Sequence, residues 1–206
     1  MTTSEQGIDA PAPTFELISV EHENPWFSVR CHNLSSLQGP KRYYSVHHER
    51  PSVGIVARRV DMYLLIRQYR PLIDQFVWAI PSGGVEIGET LNQAAARELL
   101  EETGYRARKL AHLQSYYPTY GCSNQLFETF IADIDEQEAS FDPDEVLETK
   151  FFSKKEIVTM ILEKRIPDGL SLTPLLQLFL EEGCSALTPN SVQDDVWFIA
   201  DTSKRR

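Results

Sequence analysis

The stretch from Pro81 to Gly104 leaves this chain little conformational freedom. An apolar run, Phe76-Val77-Trp78-Ala79-Ile80, reads as a short strand that Pro81 ends, and the Gly-rich segment Ser82-Gly83-Gly84-Val85-Glu86-Ile87-Gly88-Glu89 follows as a loop. Thr90 and Gln93 then stand at capping-box spacing. Leu91, Ala94, Ala95 and Leu99 repeat on one face, the stripe of a helix packed on a core. Gly104 falls where a helix is closed by a left-handed residue. The spacing therefore predicts strand, loop and one well-delimited helix in the middle of the chain.

The helix carries an unusual second face. Glu98 and Glu102 are separated by four residues and share it, and Glu101 crowds the same surface. Like charges at that spacing cost an isolated helix roughly 0.2–0.5 kcal/mol. Arg97, four residues before Glu101, can pair with it. Charge runs on helices are mostly solvated surface. Carboxylates opposite an apolar stripe, after a loop whose glycines let backbone groups approach closely, also suit a hard divalent cation. Mg²⁺ takes oxygen ligands and keeps waters and substrate phosphates in its shell. Such an ion held against a pyrophosphate stabilises charge and activates water.

The full spacing resembles the signature of the Nudix hydrolase family: Gly, five residues, Glu, seven residues, then Arg-Glu-aliphatic-any-Glu-Glu-any-Gly-aliphatic. Here Gly83, Glu89, Arg97, Glu98, Leu99, Glu101, Glu102 and Gly104 fit, and Tyr105 puts an aromatic in the last apolar slot. The resemblance implies roles. Glu98 and Glu102 are expected as principal metal ligands with the Ser82 carbonyl, and Glu101 as a further metal- or water-positioning carboxylate. Arg97 would orient the glutamates, Glu89 would support the loop, and Gly83 and Gly104 would be structural. Mg²⁺ is the expected cofactor, with Mn²⁺ as an alternative.

Beyond the signature, over roughly residues 14–183, the chain is most similar to the ADP-ribose or nucleoside-diphosphate-sugar pyrophosphatase branch. Arg67-Gln68-Tyr69-Arg70, Trp78-Ala79-Ile80-Pro81-Ser82-Gly83, the loop from Tyr117 to Gln125 and the turn Ile166-Pro167-Asp168-Gly169 carry that likeness. Ala79 stands where the branch usually has Glu, Tyr120 where it commonly has Pro, and Gln125 where Glu is usual. The branch often takes its general base from an acidic loop after the long strand. Asp142-Pro143-Asp144-Glu145 lies there, with Glu145 the first candidate and Asp144 the second. Arg70 and Arg50 are candidate phosphate contacts, because the guanidinium fork matches phosphate oxygens. Gly83, Tyr120 and Gln125 complete the candidate substrate-binding set.

Elsewhere the periodicities read as strands within 14–47, broken at Asn24-Pro25 and Gln38-Gly39-Pro40, then a hairpin from Ser52 to Gln68 turning at Asp61. Strands follow at Lys109–Tyr117, Gln125–Ile134 and Leu147–Phe152. Ser153 and Glu156 cap another helix to about Glu163, and Thr173-Pro174 opens a last one ending near Gly183. Trp78 is read as core. Strands first, a central helix, more strands, then helices is an α+β order. The family resemblance makes it an α/β/α sandwich around a mixed sheet with an N-terminal antiparallel substructure. We expect a flexible 1–13, a strand substructure at 14–47, the Nudix domain at 48–183 and a tail at 184–206 in which Val196–Ile199 could dock. Relatives of this branch commonly form homodimers through their N-terminal strands, so a homodimer is expected.

A net charge of −10 and a pI near 5.0 without a basic stripe argue against nucleic acid as a partner. Three scattered cysteines form neither a disulfide framework nor a zinc spacing. The first residues lack a secretory pattern, and no apolar stretch approaches the ~20 residues of a membrane span. The expectation is a soluble cytoplasmic enzyme that cleaves a nucleoside diphosphate linked to a sugar or similar group. The alternatives are the same chemistry on a dinucleoside polyphosphate or nucleoside triphosphate, or a non-catalytic nucleotide sensor.

Overall fold

The structure, a computed structural model, describes residues 13–36 and 39–185. The expected flexible start and the apolar patch at Val196–Ile199 lie outside the described residues, apart from Pro13.

Strands β1 (Phe15–Glu23), β2 (Ser28–Leu34) and β3 (Lys41–His47) form a three-stranded antiparallel sheet. The second sheet contains β4 (Ser52–Arg59), β5 (Met62–Arg70), β6 (Gln75–Ala79), β7 (Ser82–Gly84), β8 (Tyr105–Tyr116), β9 (Phe127–Gln137) and β10 (Glu148–Ser153). Its main order is β10-β5-β4-β9-β8, with β6 on β5 and β7 on β4. Only the β4–β9 pair is parallel, so the sheet is mixed as expected.

Alternation along β4 and β5 sorts side chains into two cores. Val53, Ile55, Ala57 and Leu64 pack with Ala94, Ala95 and Leu99 of α1 (Leu91–Thr103). Val56, Tyr63 and Leu65 pack on the opposite side with Ile157 and Met160 of α2 (Lys154–Leu162) and Leu175, Leu178 and Phe179 of α3 (Gly169–Ser185). One helix on one face and two on the other make the α/β/α sandwich. Trp78 joins the second core as read, with its ring 4.9 Å from that of Phe152.

Both capping boxes form: Thr90 with Gln93, and Ser153 with Glu156. Gly104 closes α1 at φ 74°, and its N–H donates to the Leu100 carbonyl. Two expectations need correction. Ser82-Gly83-Gly84 is a strand rather than loop, because β4 supplies pairing partners for it: Ser52↔Gly84, Val53↔Gly83 and Gly54↔Ser82. α3 begins at Gly169, not at Thr173-Pro174. Asp168 is its N-terminal cap, accepting from the N–H groups of Leu170 and Ser171, and Pro174 sits inside the helix.

Candidate active site

The site is assembled where β7 passes beneath α1. Glu98 and Glu102 lie on the sheet-facing side of the helix and are only 8% and 3% exposed. Burial of a lone carboxylate is costly, so each must be held. Glu102 Oε2 accepts the Ser82 N–H at 2.6 Å, and Oε1 accepts from the Gln68 amide at 2.8 Å. Glu98 lies over Gly83: a Cβ built on that glycine would fall 2.1 Å from Glu98 Oε1. Gly83 is therefore small because the carboxylate occupies the space of a side chain, rather than for any special φ.

Arg97 links the parts. Its Nε and one terminal nitrogen donate to the two oxygens of Glu89 at 3.0 Å each, and that same nitrogen reaches the Gly84 carbonyl at 2.9 Å. Its other nitrogen donates to Glu98 at 2.9 Å and Glu101 at 3.0 Å. Glu89 in turn accepts the Glu86 N–H, so the loop is folded onto the helix through one guanidinium. Arg97 holds the Glu89 carboxyl below its ordinary range. Glu101, by contrast, is about half exposed.

The electrostatics oppose those of a settled ion-pair network. Burial pushes Glu98 up, against the pull of Arg97. Burial raises Glu102 to about 8, the charge of Glu98 adds to it, and the Ser82 and Gln68 donors only partly offset this. The charge of Glu145 raises both carboxyls, so the acidic turn faces them. That turn is anchored at its ends: the Asp142 N–H donates to the Glu101 carbonyl, and Val146 is fully buried against Ile66 and Ala79. Glu145 itself is exposed.

These residues fit a hard divalent cation. Two carboxylates raised first by burial, with Glu101 and Glu145 adding to Glu98 and Glu98 and Glu145 adding to Glu102, need a positive charge, and the glycine beneath Glu98 leaves backbone within reach. Among the described residues no group of three or more His, Cys, Asp or Glu side chains forms a ready-made cage. Mg²⁺ does not need one, being held by one or two carboxylates with waters and substrate phosphates.

A cleft of about 520 Å³ opens at Ser82, lined by Arg70, Ile73, Val77, Ala79, Phe127, Asp168 and Leu170 among others. It is mainly apolar with a cation and an anion at its walls, and Ala79 leaves it free of the acidic group expected there. Arg70 is exposed. Arg50 lies in a smaller pocket of about 290 Å³ with Pro51 and Tyr117, next to the Gly-rich segment through the Val85 N–H to Pro51 carbonyl bond. Tyr120 is placed apart from the cleft. Its loop joins β3 through a Val46–Ser123 bridge, and the ring lines a 510 Å³ cavity with Phe15, His32 and Tyr43. Gln125 is partly buried at the base of the same loop. The sequence reading missed Gln68 and Asp168. An inward register occupied by Leu64, Ile66 and then an amide is the signal that marks Gln68.

The NUDIX domain matches residues 48–174. An ADP-ribose pyrophosphatase of Bacillus subtilis (strain 168) is 27% identical over 126 residues, covering 60% of this chain and 68% of that protein. A methanol dehydrogenase activator of Bacillus methanolicus is 29% identical over 140 residues, covering 66% of this chain and 76% of its own. An NAD-capped RNA hydrolase NudC of Salmonella heidelberg (strain SL476) is 35% identical over 112 residues, 54% of this chain but 41% of that one. A solved structure of an ADP compounds hydrolase superposes with a TM-score of 0.73 at 19% identity, covering 85% of this chain and 96% of its own.

Proposed function

This chain belongs to the Nudix family of hydrolases, and from that premise we propose that it is a divalent-metal-dependent pyrophosphohydrolase of ADP-ribose or a related nucleoside diphosphate joined to a sugar. The observation that carries the proposal is the buried Glu98–Glu102 pair, joined through the Ser82 N–H on Glu102 to an apolar cleft that bears one exposed arginine. Bound there, Mg²⁺ or Mn²⁺ would supply Lewis acidity and lower the pKa of a bound water.

The chain's own groups do the rest. Glu98, Glu102 and the Ser82 carbonyl would hold the ion, and Arg97 keeps Glu98 and the loop in register. Glu101, outermost of the three, orients water. Glu145 takes the proton of the attacking water, from a turn whose ends are fixed while its carboxyl is free. Arg70 and Arg50 contact the phosphates from either side of the Gly-rich segment. The apolar cleft excludes solvent around the group beyond the phosphates. The products are a nucleoside monophosphate and a sugar phosphate.

Two features bear on assembly and partners. Phe15, Leu17, Ile18 and Val20 of β1 are each about half exposed, an apolar edge that supports a homodimer built through the N-terminal sheet. The net charge of −10 favours a small substrate over a nucleic acid chain. No described helix is long and apolar enough to cross a membrane.

The test is a panel of ADP-ribose, nucleotide sugars, dinucleoside polyphosphates, nucleoside triphosphates and NAD-capped RNA, incubated with the protein and Mg²⁺. The expected result is nucleoside monophosphate from ADP-ribose or a nucleotide sugar at the highest kcat/KM. Binding without cleavage of any of them would overturn the catalytic reading and leave a nucleotide sensor.

A further inference from the structure

Gln68 lies in β5 on the face turned toward α1, in line with Leu64 and Ile66. Both of those neighbours are apolar and buried, and Gln68 is buried too, at 4% exposure. Strand pairing does not require an amide there. The main chain of β5 is in register with β6 at Gln68↔Val77, and the neighbouring Arg67 carbonyl takes the Leu147 N–H. Buried polar side chains are nearly always satisfied. Gln68 is satisfied at one end only. Its Nε2 donates to Glu102 Oε1 at 2.8 Å, while its Oε1 is buried without a donor.

The two halves of the amide suggest different duties. Glu102 is gripped between the Ser82 N–H and the Gln68 amide, so both its oxygens are fixed in direction before any ion arrives. The Gln68 oxygen is then a neutral acceptor beside the same carboxylate. Neighbouring residues cannot take over this pair of roles. A leucine offers neither donor nor acceptor. A glutamate could accept but would add a further negative charge to Glu98, Glu102 and Glu145, and could not donate to Glu102 when ionised.

We propose that Gln68 is a positioning residue for the cation: its Nε2 sets the direction of the Glu102 carboxylate, and its Oε1 accepts a hydrogen bond from a water in the cation's shell. This rests on the reading of Glu98 and Glu102 as metal ligands. Mg²⁺ and Mn²⁺ retain waters that are strong donors, and the groups that receive those donors orient the shell. Gln68 also adjoins Ile66, which packs on Val146 at the foot of the acidic turn. It therefore stands between the ligand and the segment that carries the proposed base.

The experiment compares the parent chain with Gln68→Leu, Gln68→Met and Gln68→Glu. Three quantities are measured: the melting temperature without metal, the Mn²⁺ dissociation constant from the paramagnetic resonance signal of the free ion, and kcat and KM on the best substrate. The apolar variants remove the orphaned amide oxygen but leave the buried Glu102 Oε1 without its donor, so they should melt at or below the parent temperature. They should bind Mn²⁺ roughly 10–100-fold more weakly, the usual cost of losing an outer-shell partner. Their kinetic loss should fall on kcat at saturating metal, with KM little changed. Gln68→Glu should bind Mn²⁺ more tightly than the apolar variants, since it keeps an oxygen at that end. Gln68→Met repeats the test if the branched leucine prevents folding. Apolar variants that bind Mn²⁺ within twofold of a parent that binds it, whatever their melting temperature, overturn the proposal. A parent that binds no Mn²⁺ overturns instead the assignment of Glu98 and Glu102, and the proposal with it.

Discussion

Replacing Glu102 with glutamine should stabilise the metal-free protein while abolishing its activity, and the size of the gain follows from the burial of this one carboxyl. Glu102 is 3% exposed, and its pKa rises from an ordinary 4.5 to about 8, first through burial and then through the charge of Glu98. The folded chain thus holds this proton more tightly than the unfolded chain does. The group's contribution to stability is therefore most favourable below the unfolded value and declines as pH climbs toward the folded one. At pH 7 the unfolded carboxyl is ionised and the folded one is not. The gap of about 2.5 pH units, at ~1.36 kcal/mol each, amounts to roughly 3 kcal/mol. Glu102→Gln removes the gap, keeps an oxygen for the Ser82 N–H, and retains a bond to Gln68 after a half-turn of that amide. For a chain of this size the variant should melt roughly 6–12 °C above the parent at pH 7 in a chelator. The difference should shrink as pH falls toward 4.5. Saturating Mg²⁺ should reverse the order, because only the parent binds it, with release of a proton. Calorimetric melts of both proteins from pH 5 to 8, with chelator and with Mg²⁺, decide the matter. A metal-free Glu102→Gln protein that melts below the parent at pH 7 would show that the carboxylate is already well accommodated and that the site is not strained toward a cation.

Three further substitutions probe the surrounding parts. Arg97→Lys keeps the charge but cannot span Glu89, Glu98, Glu101 and the Gly84 carbonyl, so kcat/KM should fall roughly 10²-fold, as for other misplaced reacting groups; steady-state kinetics at parent-like activity would remove the guanidinium fork from the design. Glu145→Gln should lower kcat by roughly 10²-fold or more while leaving Mn²⁺ affinity nearly unchanged; activity within about a factor of two of the parent takes Glu145 out of the mechanism. Gly104→Ala combines a left-handed φ of 74° with a Cβ only 1.9 Å from the Ala139 carbonyl oxygen, and urea melts should show a loss of at least ~2 kcal/mol.

What could be read from the sequence and what could not divides along the range of the forces involved. The capping boxes of α1 and α2 and the glycine that ends α1 act within one helical turn, so composition and spacing reveal them. The start of α3 misleads because Pro174 resembles a first-turn proline, whereas Asp168, six residues earlier, caps the helix and also receives the Ser171 hydroxyl. β7 has no strand composition at all; it is a strand because the edge of β4 is there to pair with it. Gly83 shows how a local spacing records a distant contact. It is written in the signature as a fixed interval from Glu98, but the reason is tertiary: β4 holds Gly83 under α1 so closely that the carboxylate fills the side-chain space. The acidic helix is legible because the spacing from Gly83 to Glu98 encodes that contact. The cleft has no such shorthand, since Arg70 and Val77 come from neighbouring strands, Phe127 from β9 and Asp168 from the start of α3. The cleft is therefore a product of long-range packing. Changes at Ala79 should alter selectivity there, whereas Tyr120, 86% exposed on a loop bridged to β3, lies outside the cleft.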